Sequence, residues 1–277
     1  MLFRHSCMGG RIVDKDKEIE QLKSEVARLR LEMQQAAKEK DEYLQNVAHQ
    51  IVAPLNNLKW SIESLEDPTV PFGRKQVLLR SIYSQATILV HLIKNFALMS
   101  ALETEHSLES FRERTTVLDP KLLMINLSND FQPQARDRNI SVVVDDESFD
   151  KCEGKRSIVG IKNLVDQVLS NILANAAKYA NEGTRIVSYL RLDGEFAVVS
   201  ISSRGLPIDE EDKGSIFKRG FRGKGAKERL PAGTGFGLFI AQKIMEIHQG
   251  RIEVRTDGDM STFDVWLPRP KMGGTGR

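Results

Sequence analysis

Residues 171–179 read Asn-Ile-Leu-Ala-Asn-Ala-Ala-Lys-Tyr, within a segment whose apolar spacing predicts a helix over 163–180. Asn171, Asn175 and Lys178 are spaced i, i+4 and i+7, which places them on one face of that helix. Two carboxamides and an ammonium on one face can offer a carbonyl oxygen to Mg²⁺ and positive charge to a phosphate. The alternative is a helix with an ordinary polar surface.

A second motif lies at residues 233–238, Gly-Thr-Gly-Phe-Gly-Leu, where a predicted helix over 236–248 begins. Glycines let backbone N–H groups approach an anion at a helix N-terminus, where the helix dipole adds to the attraction. Just before it, residues 213–229 hold seven basic residues against the single Glu228, together with several glycines. Such a stretch is either a solvated surface loop or a lid over a triphosphate, and its position favours the lid.

Strands and further helices surround these two motifs. The predicted strands are 140–144, 185–190, 195–202, 251–255 and 262–267, and a further predicted helix is 120–136. Asp193-Gly194 and Asp257-Gly258 are hairpin turn signals between consecutive strands. Strands in hairpins with helices between them predict a mixed or antiparallel sheet with one helical face. The regular crossovers of a Rossmann sheet are missing.

The first quarter of the chain has a heptad pattern. Its apolar positions are Ile12, Ile19, Val26 and Met33, with Leu22, Leu29 and Ala36 three residues after the last three of them. The pattern continues to Tyr43 and Val47, interrupted by Lys40. It predicts a helix that pairs in parallel with a second copy of itself. The alternative is one amphipathic helix lying on its own protein.

This helix is expected to continue to about Leu65, although an interior proline such as Pro54 costs about 3 kcal/mol and predicts a kink. A turn over 66–73 leads to a second amphipathic helix over 74–102, and a polar linker follows over 103–116. Two such hairpins would bury their apolar stripes as a four-helix bundle. His49 lies on the first helix, and imidazole is a good nucleophile near neutral pH when one ring nitrogen is unprotonated.

Composition adds few constraints. The 277 residues carry a formal charge of +2, which gives no general reason to expect nucleic-acid binding. Two cysteines are too few for a disulfide framework. No stretch is long and apolar enough to span a membrane, and residues 1–10 do not resemble a signal peptide. We expect a cytoplasmic protein, alone or as the cytoplasmic part of a larger sensor.

In order and spacing, these segments resemble the sensor histidine kinases of two-component systems. The resemblance covers about residues 14–268 and includes a phosphoacceptor box at 48–55, an asparagine box at 171–179, a first glycine box at 201–217, a phenylalanine box at 217–222 and a second glycine box from 233. The asparagine box and the second glycine box are the specific motifs.

The resemblance implies an α+β multidomain chain. A helical hairpin would form a dimeric four-helix bundle, followed by a two-layer α/β sandwich of the Bergerat type with a mixed sheet. The implied domains are a leader at 1–13, a coiled-coil and phosphotransfer hairpin at 14–106, an ATP-binding domain at 107–268 and a tail at 269–277. The implied partners are a second copy and the receiver domain of a response regulator, without nucleic acid.

The resemblance also implies residue roles, with ATP and Mg²⁺ bound. His49 would attack the γ-phosphorus and then pass the phosphoryl group to a regulator aspartate. Asn175 would ligate Mg²⁺ with support from Asn171, while Lys178 and Arg222 would hold phosphate charge. The remaining implied nucleotide-site residues are Tyr179, Ser203, Gly205, Gly233, Thr234, Gly235, Gly237 and Leu238.

Three residues depart from the family pattern. Gln50 replaces the acidic residue after the histidine and cannot act as a base, so we expect slower autophosphorylation than in a Gln50→Glu variant. Ala53 replaces the Thr or Asn credited with orienting water, which makes phosphatase activity doubtful. Ser203 replaces the aspartate that accepts a hydrogen bond from the adenine amino group, and the loss of that charged acceptor would cost about 1–2 kcal/mol of ATP binding.

Two other functions are alternatives to a kinase. ATPases of the same fold use a glutamate four residues before the metal-binding asparagine, but Asn171 occupies that position here and cannot activate water. A dimeric pseudokinase scaffold that binds nucleotide weakly stays open because of Gln50 and Ser203. Whether phosphotransfer onto His49 would occur within a protomer or across the dimer also stays open.

Overall fold

The computed structural model describes residues 6–102, 115–230 and 233–270. The chain divides into two compact units, with the boundary in the sequence between Ala48 and His49. The first unit consists of the N-terminal part of one long helix. The second contains the rest of that helix, another long helix and an α/β domain. None of the described helices combines the length and the apolarity needed to cross a bilayer.

Helix α1 spans Ser6–Glu66, so it begins within the stretch predicted as a leader and continues through Pro54. In the first unit, apolar residues of the heptad pattern are exposed in the single chain. They are Ile19, Leu22, Val26, Leu29 and Met33, with exposed fractions from 46% to 73%. An exposed apolar stripe of this length is unusual for a helix in isolation, and it is the surface expected of a coiled coil.

Helix α2 spans Phe72–Leu102 and follows a short loop over 67–71. The loop begins with a local turn, in which the Asp67 carboxylate accepts hydrogen bonds from the Thr69 N–H at 2.8 Å and from the Thr69 hydroxyl at 2.6 Å. Both long helices leave apolar side chains exposed here as well. They include Val52, Leu55 and Ile62 on α1 and Leu79, Val90 and Ile93 on α2. Residues 103–114, which contain most of the predicted linker and the predicted boundary at 106/107, lie outside the described residues.

The α/β domain contains seven strands and five helices among the described residues. The strands are β1 (Thr116–Leu118), β2 (Ser141–Val144), β3 (Ile158–Gly160), β4 (Arg185–Asp193), β5 (Phe196–Arg204), β6 (Arg251–Asp257) and β7 (Met260–Pro268). The helices are α3 (Pro120–Arg136), α4 (Asp146–Asp150), α5 (Lys162–Tyr179), α6 (Lys224–Arg229) and α7 (Gly237–Ile247).

Five strands form one mixed sheet in the order β2-β4-β5-β7-β6. Only β2 and β4 run parallel in it, and the other neighbours are antiparallel. Gly194 and Gly258 turn the two predicted hairpins with φ of 55° and 57°, a conformation that glycine adopts without strain. The predicted mixed sheet is therefore confirmed.

Helices α3, α5 and α7 pack on this sheet and form the second layer of the sandwich. Helix α5 contributes a continuous apolar face whose residues are 0–4% exposed: Leu164, Val165, Val168, Leu169, Ile172 and Leu173. Burying one such leucine or isoleucine contributes about 1.5–3 kcal/mol, so this face fixes α5 on the sheet. The opposite, polar positions of α5 are then oriented away from that core.

His248 joins the two helices that carry the sequence motifs. Its Nδ1 lies 2.8 Å from the Ile244 carbonyl oxygen at the end of α7, and its Nε2 accepts a hydrogen bond from the Ile161 N–H at 2.9 Å, just before α5. This pairing requires a neutral ring that is protonated on Nδ1. The start of α5 and the end of α7 are thereby held together.

Helix α2 lies against α3, α5 and α7 rather than standing apart from the α/β domain. The His91 ring stacks on Phe131 of α3 with centroids 5.1 Å apart, and Asn95 bonds to residues of α5. The sequence indicated two amphipathic helices but gave no indication that one of them docks on the helical layer.

Candidate functional site

A cavity of about 340 Å³ opens in the second unit between α1, α2, α5 and the segment that leads to α7. Every residue implied for the nucleotide site lines it. These residues are Asn171, Asn175, Lys178, Tyr179, Ser203, Gly205, Arg222, Gly233, Thr234, Gly235, Gly237 and Leu238. Gln50 lines it too, whereas His49, one position earlier on α1, is exposed and does not.

Asn171 is the most constrained polar residue of the site. It is 4% exposed, and its Oδ1 accepts hydrogen bonds from Asn95 Nδ2 at 2.8 Å and from Gln167 Nε2 at 3.1 Å. Its Nδ2 donates to the carbonyl oxygen of Gly237 at 3.0 Å. Asn171 therefore fixes the first turn of α7 relative to α5, and its oxygen already has two donors.

Asn175 lies one turn further along α5 and is only half-buried. Within the described part of the chain, its carboxamide makes no hydrogen bond. An amide oxygen that faces a cavity without a donor is a suitable ligand for a hard cation such as Mg²⁺. The described residues contain no cluster of three or more His, Cys, Asp or Glu that could hold a metal by itself. Mg²⁺ bound beside Asn175 could complete its coordination with water and with oxygens of a bound phosphate.

Lys178 provides the positive charge of this face. In the described ranges, its ammonium has no hydrogen-bond acceptor and no ion-pair partner. Lys178 lines the cavity but is exposed to solvent by its accessible surface. The pKa of Lys178 is lowered, first by desolvation of the charged form within the cavity and second by the positive charge of Arg222. A lysine in this condition gains free energy when an anion enters the cavity.

Arg138 supports the end of α5 that carries Lys178. Its guanidinium donates to the carbonyl oxygens of Ala177 at 2.8 Å, Lys178 at 2.9 Å and Ala180 at 2.8 Å. Carbonyl oxygens at a helix C-terminus have no partner within the helix, so these hydrogen bonds stabilise the end of α5. This role of Arg138 could not be predicted from the sequence, because an arginine in a loop shows no motif that links it to a helix end 40 residues later.

The glycine loop before α7 has a conformation that requires glycine. Gly235 has φ of 69°, and a Cβ there would lie 2.7 Å from the carbonyl carbon of Gly220 and the oxygen of Phe221. When the side-chain amide of Gln50 is oriented with its oxygen towards the glycine loop, Oε1 accepts hydrogen bonds from the N–H of Gly233 at 3.3 Å and of Thr234 at 3.1 Å. The loop thus presents adjacent N–H donors to an acceptor in the cavity.

Arg222 organises the basic segment before this loop. Its guanidinium donates to the carbonyl oxygens of Ala226 at 2.9 Å, of Gly233 at 3.3 Å and of Leu230. Arg222 thereby connects α6, a helix not predicted from the sequence, to the glycine loop. A phosphate-binding role for Arg222 stays a prediction, since these contacts are to the backbone.

The far side of the cavity is formed by β5 and β7. Ser203 on β5 is paired across the sheet with Ser261 on β7, and both line the cavity. The Ser261 hydroxyl is buried without a hydrogen-bond partner among the described residues. At Gly205, a Cβ would lie 2.2 Å from the Tyr179 carbonyl oxygen, so only glycine allows the strand to approach the end of α5.

These groups fit a nucleoside triphosphate with its metal. The cavity offers backbone N–H donors and an unpaired lysine at one side, an available amide oxygen beside them, and hydroxyls with apolar walls at the other. The orphaned Ser261 hydroxyl and the unpaired Lys178 ammonium are both polar groups that a bound ligand would satisfy.

Comparison with known proteins agrees with this geometry. Residues 160–271 match the family described as histidine kinase-, DNA gyrase B-, and HSP90-like ATPase. The sensor histidine kinase RppB of Synechocystis sp. is 28% identical over 237 residues, which cover 84% of this chain and 50% of RppB. The heme sensor protein HssS of Staphylococcus aureus is 26% identical over 256 residues, which cover 91% of this chain and 52% of HssS.

Among solved structures, full-length ShkA in complex with AMPPNP aligns with 82% of this chain and 46% of its own length, at 17% identity and a TM-score of 0.51. At that identity the likeness concerns the fold. The chain spans about half the length of the curated relatives it matches. The chain is thus similar to histidine kinase-type ATPase domains over residues 160–271 and to sensor histidine kinases along most of its length.

Proposed function

We propose that the chain is the core of a sensor histidine kinase, which transfers the γ-phosphoryl group of ATP to His49 and then to an aspartate of a response regulator. The observation that carries the proposal is the convergence of residues from four separate segments on one cavity, beside the helix that presents His49. Arranged in this way, they would position a nucleotide and neutralise its charge, which are the main requirements of phosphoryl transfer.

In the nucleotide complex, each side of the cavity would have its own task. The N–H groups of Gly233 and Thr234 and the Lys178 ammonium would bind phosphate oxygens. The Asn175 amide oxygen would ligate Mg²⁺, which neutralises charge on the transferred phosphoryl group. Ser203, with Ser261 beside it, would face the adenine, where neutral hydroxyls replace a charged acceptor. We therefore expect weaker and less adenine-selective binding than a carboxylate at position 203 would give.

His49 would act as the nucleophile. A neutral ring nitrogen attacks the γ-phosphorus, the new N–P bond forms, and the bond to the bridging oxygen of ADP breaks. The ring then loses its N–H proton to solvent, because Gln50 cannot accept it at neutral pH. The resulting phosphoramidate transfers its phosphoryl group to the regulator aspartate. Ala53 offers only a methyl group, so we expect little hydrolysis of the phosphorylated regulator.

The active assembly would be a dimer. The exposed apolar stripes of α1 and α2 match the surfaces that a parallel coiled coil and a four-helix bundle bury. We place the reaction in the cytoplasm, where ATP and a response regulator are available.

A pseudokinase scaffold is the second candidate. It is favoured by Gln50, whose amide replaces a base and at the same time contacts the glycine loop. In that case the chain would bind nucleotide and partners without transferring phosphate.

Incubation with γ-labelled ATP and Mg²⁺ separates the two candidates. The kinase proposal expects label on the wild-type chain and none on a His49→Gln variant that retains nucleotide binding. Unlabelled wild-type protein that binds ATP would support the scaffold instead.

A further inference from the structure

The helical hairpin extends two amide side chains into the cavity. Gln50 of α1 accepts hydrogen bonds from the N–H groups of Gly233 and Thr234. Asn95 of α2 donates to Asn171 Oδ1 at 2.8 Å and accepts from Gln167 Nε2 at 3.0 Å. Both contacts fall on motifs to which the proposed function assigns the phosphates and the metal.

The contact of Gln50 has the chemistry of a phosphate contact. One carbonyl oxygen lies within hydrogen-bond distance of two consecutive N–H groups, at 3.3 and 3.1 Å, as a phosphate oxygen would in a glycine loop. Each N–H is a single donor, so it cannot serve Gln50 and a phosphate at full strength at the same time. The Gln50 side chain and the nucleotide phosphates would therefore compete for the same two N–H donors.

Asn95 holds α2 on the same site. Asn171 Oδ1 has two donors, from Asn95 and Gln167, which together use both of its lone pairs. Because α2 also stacks His91 on Phe131, the hairpin is seated on the α/β domain by several contacts near the cavity. Gln50 thus belongs to a hairpin whose second helix, α2, is docked on the α/β domain.

We propose that Gln50 is an intramolecular competitor of the nucleotide phosphates, so that the docked hairpin lowers ATP affinity and bound ATP releases Gln50 from the glycine loop. The inference rests on the proposed nucleotide site. By linkage the two effects are equal and opposite: whatever the Gln50 contact contributes to docking is lost from ATP binding. ATP binding would then free the segment of α1 that carries His49, one residue before Gln50.

Titration of three proteins with ATP and with adenosine tests this. The proteins are the wild type, Gln50→Ala and the control Asn57→Ala. Asn57 is exposed on the same helix as Gln50 and does not line the cavity. Alanine is the best helix former, so both variants should fold, as far-UV circular dichroism would verify. Removing two competing hydrogen bonds should tighten ATP binding of Gln50→Ala by about fivefold to twentyfold. Adenosine affinity should not change, because adenosine has no phosphate, and Asn57→Ala should match the wild type.

Three other outcomes would contradict either the competition or the proposed nucleotide site. Equal or weaker ATP binding by folded Gln50→Ala overturns the competition and leaves the proposed function standing. Equal tightening of ATP and adenosine also overturns it, because a wider cavity mouth rather than released N–H donors would then be the cause. If folded wild type and Gln50→Ala both fail to bind ATP and adenosine, the proposed nucleotide site itself is wrong.

Discussion

The Lys178 ammonium has no hydrogen-bond or ion-pair partner among the described residues, and its pKa is lowered. We therefore expect the protonation of Lys178 to change when a nucleotide binds. Desolvation and Arg222 disfavour its charged form in the free protein, whereas phosphate oxygens would favour it. The pKa of Lys178 should therefore rise on ATP binding. At a pH between the two values, the complex takes up a proton that the free protein lacks.

The prediction is proton uptake on ATP binding, and ATP affinity that falls as pH rises through this window. Calorimetric titration at a series of pH values above the titration of the phosphates, each in two buffers with different ionisation enthalpies, measures the uptake. A Lys178→Arg variant is the control, because arginine stays charged and should show none. Equal proton uptake by the wild type and this variant would contradict the role given to Lys178.

Ser203 gives a second prediction at the scale of one residue. A Ser203→Asp variant restores a charged acceptor for an amino group and should tighten ATP binding by about 1–2 kcal/mol, or about fivefold to thirtyfold. GTP, which presents a carbonyl oxygen at the corresponding ring position, should gain nothing. Parallel titrations with ATP and GTP measure the difference. Submicromolar, strongly adenine-selective binding by the wild type would show that Ser203 already suffices.

At the scale of elements, Asp264 connects its own strand, β7, to three other strands of the sheet. It is fully buried on β7, and it accepts hydrogen bonds from Arg255 on β6, Ser200 on β5 and Arg191 on β4. Desolvation alone would raise the pKa of Asp264, but the hydrogen bonds from Arg255 and Ser200 outweigh it and lower the pKa. The carboxylate is thus stabilised as a charge in the folded state.

Replacing Asp264 by Asn should destabilise the α/β domain by about 2 kcal/mol at pH 7, because two guanidinium groups lose a charged acceptor. Since the folded pKa lies below the unfolded value of about 3.9, this contribution is present above that pH and is lost as pH falls through the folded pKa. Urea unfolding of the wild type and of Asp264→Asn at pH 7 and at about pH 3 measures the difference between their free energies of unfolding. The gap between wild type and variant should narrow in acid, and an equal gap at both pH values would contradict the account.

Much of the fold could be predicted because its longer elements show their periods in the sequence. Helix α3 has the predicted bounds, and α5 and α7 differ from prediction by one residue at each end. The strands β1 and β3 and the helix α4 were missed, because three to five residues are too few to show a period of 2 or 3.6.

The candidate site was predictable where one helix face or one loop carries the chemistry, as for Asn175, Lys178 and Gly235. It was not predictable where partners are distant in sequence. Asn95 and Ser261 are ordinary polar residues until the fold places them beside Asn171 and Ser203.

At the scale of the whole molecule, the heptad residues of α1 from Ile19 to Met33 are exposed in the described single chain, which predicts a dimer. Leu22→Asp combined with Leu29→Asp puts two charges on the stripe and should reduce the dimer to a monomer. Leu31→Asp is the matched control, since Leu31 is 57% exposed but lies off the heptad positions. Light scattering with size-exclusion chromatography gives the mass. A monomeric wild type, or a control that dissociates equally, would contradict the prediction.

The proposed phosphotransfer to His49 would connect all three scales, because it would need the polar groups of the cavity, a docked and releasable hairpin, and a dimer. The most direct measurement locates the phosphoryl group after incubation with γ-labelled ATP and Mg²⁺. The account predicts a label that is labile in acid, stable in alkali, and located by mass spectrometry on His49, which is the behaviour of a phosphoramidate. A label on a serine, threonine or aspartate, or no label on protein shown to bind ATP, would contradict it.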